Sequence, residues 1–281
     1  MHLIMILTAL SLALLLRCRW SNPTGTWTQR WQRSLLSFLL PPLLLLMTAI
    51  AVLCMGPQGQ MIGLHADWFS HCLVLGSVGF AIGFGLKLAV EGWQSLRQIH
   101  SYPQIDLDGK PARLLDSPML YSAQIGFWQP ELVVSQGLLD TLKPEHLQAV
   151  LVHEQAHHYY RDTFWFFWLG WLRRITAWLP NTEALWQELL VLREIRADRW
   201  AASRVDALLV AESLLLVVSA PIMPSESFSA AFSRATPINR LQERIDALLA
   251  EPESPSSPGS SWTWSWVLLA LLPLVAVPFH S

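Results

Sequence analysis

The chain has 281 residues, of which 52% are hydrophobic and only 14% charged, where ordinary soluble proteins carry roughly a quarter. That balance argues against a soluble globule and for a multi-pass membrane protein in contact with a lipid bilayer. A net charge of -2 with no basic stripe gives no reason to expect nucleic acid, and the three cysteines, Cys18, Cys54 and Cys72, imply neither a disulfide framework nor a cysteine zinc site.

The first element, Leu3–Leu16, is almost wholly apolar. Arg17 and Arg19 follow it rather than precede it, which inverts the charge order of a cleavable signal and predicts a short signal-anchor helix. A second span is expected over Leu35–Met55, with Pro41-Pro42 kinking it or marking where it begins, and a third over Cys72–Val90. Gly76, Gly79 and Gly83 in the third are candidates for a close-packing face. Residues 1–90 thus read as a three-helix membrane region. The loop between the first two spans holds Arg17, Arg19, Arg30 and Arg33 with no acid, whereas Gly56–His71 holds no Lys or Arg. The positive-inside rule then puts the amino terminus outside and everything from about Glu91 to Ser261 in the cytoplasm.

From Ile105 the composition changes. Ala112–Leu115, Met119–Ile125 and Glu131–Ser135 are short β-prone runs broken by turn dipeptides, so a small sheet is expected, with Tyr121–Gly126, and within it Ser122, Ala123 and Gln124, as a candidate substrate-aligning strand or a structural hairpin. Lys143-Pro144-Glu145 then opens a helix in which Leu147, Val150 and Leu151 recur at helical spacing. That helix carries His153-Glu154-Gln155-Ala156-His157. Two imidazoles four apart share one helix face and can grip a single zinc ion, with Glu154 between them placed to activate water. His158, five residues from His153, is turned off that face.

Thr163–Leu172 is dense in tryptophan but half the length of a crossing, and Arg173-Arg174 follow, so residues 163–180 read as an interfacial or re-entrant helix. Arg193-Glu194-Ile195-Arg196-Ala197-Asp198-Arg199 predicts a helix with Glu194 and Asp198 on one face: one carboxylate for the metal, the other for the free nitrogen of a ligand imidazole. Ala207–Ser219 reads as an apolar helix and Ile238–Ala250 as an amphipathic one; 251–262 is a Pro/Ser-rich linker, and 263–281 holds a fourth span over Trp264–Phe279. Residues 91–250 make up the zinc domain.

The run HEQAHHYYRD followed by EIRAD resembles the integral-membrane gluzincins. The resemblance covers roughly Ala112 to Ala250. Gln129–Ser135, Gly137-Leu138-Leu139, Leu147–Asp162 and Trp178-Leu179-Pro180 are similar to the BlaR/MecR beta-lactam-sensor peptidases, and three preceding spans favour that branch. Thr236-Pro237 and Arg244-Ile245 echo instead the HtpX and CAAX-prenyl-protease branch. The resemblance implies a mostly α membrane protein with a small α+β zinc peptidase domain, and one zinc held by His153, His157 and Glu194. It implies Glu154 as base and Asp198 as the partner of a ligand histidine, and Asp162 matches a recurrent structural acid. Arg199, Arg240 and Arg244 are candidates to steady an oxyanion. The expected activity is endoproteolysis of a cytoplasmic or membrane-proximal protein in regulated proteolysis or signalling, in a bacterial-type inner membrane. A quality-control protease or a zinc-stabilised scaffold are the alternatives. No penicillin-binding sensor follows the last span in these 281 residues, so antibiotic sensing is not expected. The sequence leaves the oligomeric state undetermined.

Overall fold

A computed structural model describes residues 2–21, 24–57, 60–61, 64–65, 68–107, 109–219, 240–250 and 265–279. The expected linker at 251–262 and Thr236-Pro237 lie outside them. The chain is mostly helical: α1 (His2–Cys18), α2 (Trp27–Met55), two-residue strands β1 (Gln60–Met61) and β2 (Leu64–His65), and α3 (Trp68–His100) come first. A mixed domain follows, with β3 (Gln104–Leu107), β4 (Lys110–Leu115), β5 (Ser122–Ile125), β6 (Glu131–Ser135), α4 (Gln136–Thr141), α5 (Pro144–Tyr159), α6 (Asp162–Ile175), α7 (Thr182–Ala202), α8 (Ala207–Ser219) and α9 (Leu241–Leu249). A 3-10 helix, Leu269–Phe279, closes the chain. The fold divides into two compact units, Met1–Leu86 with Trp171–Leu189 and Glu253–Ser281, and Lys87–Gly170 with Leu190–Pro252, the divisions falling inside α3, α6 and α7.

Among the described helices, α2 with 29 residues and α3 with 33 are long and apolar enough to cross a membrane; at about 1.5 Å per residue α3 reaches roughly 50 Å. The helix α1 has 17 residues and is shorter than a full crossing of about 20. Helix α2 covers the expected span over Leu35–Met55 but begins earlier, at Trp27, where the Thr26 hydroxyl accepts from Gln29 N–H at 3.3 Å, and it runs through Pro41 and Pro42. Pro42 has no N–H for the carbonyl four residues back. That carbonyl, Phe38 O, instead accepts from Arg17 Nη2 at 3.1 Å, with the guanidinium 5.3 Å from the Phe38 ring centroid. A Cβ added at Gly76, Gly79 or Gly83 meets nothing within 4 Å, so among the described residues this face is not a packing surface.

The second unit is built on one four-stranded sheet of order β3-β4-β6-β5. Here β4 and β6 are parallel (Ala112 opposite Leu132), β3 is antiparallel to β4, and β5 is antiparallel to β6 (Gln124 opposite Leu132). The strand β3 was not among the expected runs. Four residues alternating Gln-Ile-Asp-Leu carry too little hydrophobic signal alone and are ordered by pairing with β4. One sheet face packs Ala112, Val134 and Leu132 against Leu138 of α4 and Leu147, Val150 and Leu151 of α5. Two glycines permit close backbone approaches, Gly126 in the turn after β5 and Gly137 in α4. Gly126 has φ +139°, and a Cβ there would lie 2.9 Å from Pro130 Cα; at Gly137 a Cβ would meet Pro118 O at 2.1 Å. A second cluster joins Ala149 of α5, Ala201 of α7, Val210 and Ala211 of α8 and Leu248 of α9, which draws four helices together around α5.

Candidate zinc centre

Helix α5 presents His153 and His157 from successive turns, and α7 presents Glu194 and Asp198 in the same way. Val191, Leu192, Ile195, Ala197 and Ala201 bury the rest of this α7 segment in the core, and Glu194 and Asp198 are themselves buried, at 7% and 1% exposed. His153 Nε2 lies 3.2 Å from His157 Nε2 and 3.4 Å from Glu194 Oε2, and His157 Nε2 is 3.8 Å from Glu194 Oε1. One ligand atom from each of His153, His157 and Glu194 falls within a 4.8 Å cluster.

The other imidazole nitrogens decide what this point accepts. His153 Nδ1 is 2.9 Å from Asp198 Oδ1, and His157 Nδ1 is 2.7 Å from Asp162 Oδ2. An ionised carboxylate only accepts, so each Nδ1 carries the hydrogen and each Nε2 turns a lone pair inward. With both imidazoles neutral, their inward lone pairs 3.2 Å apart repel, and a proton on one of them or a metal cation between them relieves this. An ion about 2.0–2.1 Å from both subtends an angle of roughly 100°, near tetrahedral, so the donor set fits one zinc ion with a position left open.

The surrounding charges agree. Burial opposes the charged form of His153, but hydrogen bonds and charge from Asp198 and Glu194 outweigh it and hold its pKa up to about 10. Burial would likewise raise Glu194, yet the charges of Arg193, His157 and Arg244 and the hydrogen bond from His153 hold it well below the carboxylate range. Asp198 is also lowered against burial, by the charge and hydrogen bonds of Arg244 and by His153. The cluster therefore favours a cation at its centre.

Glu154, 7% exposed, turns toward β5 rather than into the ligand cluster, and Ser122 Oγ donates to its Oε1 at 2.9 Å. Ala123 and Gln124 continue β5, which has β6 on one side and is an edge of the sheet. Asp162 reaches His157 because Arg161 takes the left-handed conformation, φ +53°, which ends α5 and turns the next residue back. Arg196 Nη2 donates to the other oxygen of Asp162. Arg244 forks both oxygens of Asp198, Nε to Oδ2 and Nη2 to Oδ1, each at 2.8 Å. Of the other residues considered, Arg199 Nη2 donates to Ala247 O at 3.4 Å, Arg240 pairs with Glu243 at 3.7 Å, and His158 is exposed. Sequence reasoning had overlooked Arg193, whose Nε and Nη2 hold Glu194 Oε1 at 2.9 and 2.7 Å, and Arg196. Their one signal was the density of arginine around Glu194.

A His-x-x-x-His pair with its intervening glutamate and a distal glutamate ligand defines a zinc metallopeptidase site. Residues 104–235, a little under half of the chain, match peptidase family M48, so this segment is similar to an M48-family zinc metallopeptidase domain. That family takes in HtpX, CAAX-protease and BlaR/MecR peptidase domains, and the match does not distinguish among them. No curated protein and no solved structure matches the chain.

Proposed function

We propose that the protein is a membrane-tethered zinc endopeptidase of the BlaR/MecR-like branch, cutting a cytoplasmic or membrane-proximal protein in regulated proteolysis. The observation that carries this reading is the convergence of His153, His157 and Glu194 beside a glutamate that is not itself in the ligand cluster. Zinc, when bound, polarises a scissile carbonyl and lowers the pKa of a water toward neutrality. Glu154 would take a proton from the attacking water as its oxygen adds to the carbonyl carbon, and then pass that proton to the amine nitrogen, which leaves as the C–N bond breaks. Ser122 holds the Glu154 carboxylate in place for both transfers. The edge strand β5 offers its outer backbone groups to an extended substrate segment, with Ser122, Ala123 and Gln124 alongside it. The reading places the zinc domain in the cytoplasm and α6 at the headgroup level; its support is the Arg-rich first loop and the exposure of Trp165 (58%) and Trp168 (43%) along α6.

The test compares the cleavage products in membranes of cells carrying the wild type with those carrying Glu154→Gln. Fragments that vanish in the variant identify the substrate. Identical fragment sets would count against peptidase activity.

A further inference from the structure

We propose that Arg244 and Arg196 are positioning residues for the two ligand imidazoles, each acting through one aspartate: Arg244 through Asp198 on His153, and Arg196 through Asp162 on His157. The proposal rests on the zinc-site reading above and extends it one layer outward.

An aspartate alone does not fix an imidazole, since its carboxylate turns about its terminal bond and can offer either oxygen to several partners. Here that freedom is removed. Both oxygens of Asp198 are held by the planar fork of Arg244, and Oδ1 still accepts from His153 Nδ1; Arg244 Nη2 also lies 3.5 Å from Glu194 Oε2, a longer contact, so the histidine signal and not affinity alone reports the route through Asp198. Asp162 divides its oxygens, Oδ2 for His157 Nδ1 and Oδ1 for Arg196, whose guanidinium in turn stacks 4.1 Å from the Tyr160 ring centroid. All four charged partners are enclosed: Asp198 is 1% exposed, Asp162 3% and Arg244 6%, and the Arg196 side chain 16%. Without its guanidinium, an oxygen of either aspartate is free to turn toward the cation or toward water. The imidazole then loses the acceptor that keeps its hydrogen on Nδ1.

The fold explains why these two arginines and not others. Arg244 and Leu248 share one face of α9, and Leu248 packs with Ala149 of α5 and Ala201 of α7, which brings the guanidinium over Asp198. Arg196 sits between Glu194 and Asp198 on α7. One helix thus supplies a ligand, the acceptor for one imidazole and the guanidinium behind the acceptor for the other. Bidentate geometry matters more than charge at Arg244, so lysine should replace it only in part.

The test uses the full chain in lipid nanodiscs, with Arg244→Met and Arg196→Met removing the charge at similar bulk and Arg244→Lys and Arg196→Lys keeping it. Two quantities are read: zinc affinity by chelator competition, and the tautomer and Nδ1–H hydrogen bond of each histidine by nitrogen-15 NMR of histidine-labelled zinc-loaded protein. Each Met variant should lose about 10- to 100-fold in zinc affinity. R244M should disturb the Nδ1–H signal of His153 alone, and R196M that of His157 alone. The Lys variants should fall between, and they carry the same comparison if a Met variant does not fold. Affinities within about twofold of wild type overturn the proposal. So does lost affinity with both histidine signals unchanged, because that marks a merely structural role. Neither readout involves cleavage, so a wild type that binds zinc yet cuts nothing defeats the peptidase reading and leaves this one standing.

Discussion

At the scale of single residues, the site separates side chains that hold the cation from those that hold its ligands. Glu194→Ala leaves two imidazoles and should strip most of the zinc from the purified protein, whereas Asp198→Asn should cost about 10- to 100-fold in affinity. Metal analysis of both variants decides it, and full occupancy in Glu194→Ala would show that another group is the third ligand. Away from the site, Glu131 offers a pH test. Burial would raise its pKa, but hydrogen bonds from Arg113 (2.7 Å) and His100 (2.8 Å), with their charges, hold it below its ordinary 4.5. A lowered folded pKa means a contribution present above 4.5 and lost as pH falls through the folded value. The unfolding midpoint of Glu131→Gln should therefore match the wild type in acid and fall below it near neutrality; a constant difference at every pH would contradict the pairing. The ligands were legible in the sequence because four-residue spacing on a helix is a geometric statement. Their arginine partners were not, since Arg196 and Arg244 stand 34 and 46 residues from the acids they hold, and a charged helix reads equally well as solvated.

At the scale of elements, local pattern located the zinc helix, the acid-bearing helix and the strands that carry strong hydrophobic alternation. It missed β3, which only its partner orders, and the left-handed Arg161, since nothing in an arginine announces a positive φ. It left open whether Pro41-Pro42 kinks the second span or marks its entry; the helix begins at Trp27 and runs through both, with a compensating donor to Phe38 O from another helix. The β5–β6 turn gives the sharpest element-level expectation. Gly126→Ala places a side chain at φ +139° and 2.9 Å from backbone, which should destabilise the domain by about 1–3 kcal/mol. Gly79→Ala, with open space around it in α3, should be neutral or stabilising by up to about 1 kcal/mol. Denaturation of the two variants side by side checks both, and equal stability would contradict the turn geometry.

At the scale of the whole molecule, two membrane-length helices and a zinc-site domain similar to peptidase family M48 lie in one chain. The charge asymmetry of the first two loops sets the expected orientation. A reporter fused after Ser261 should behave as cytoplasmic and one fused after Ser281 as extracytoplasmic; the reverse would move the zinc domain to the other side of the membrane. The central claim is that this domain uses its zinc for catalysis rather than for structure, and the most direct measurement is made on purified Glu154→Gln, which keeps the size of the side chain and removes its basic carboxylate. Zinc content and unfolding temperature should stay at wild-type values while cleavage of the substrate is lost. Wild-type proteolysis with the metal retained would contradict the role of Glu154 as base.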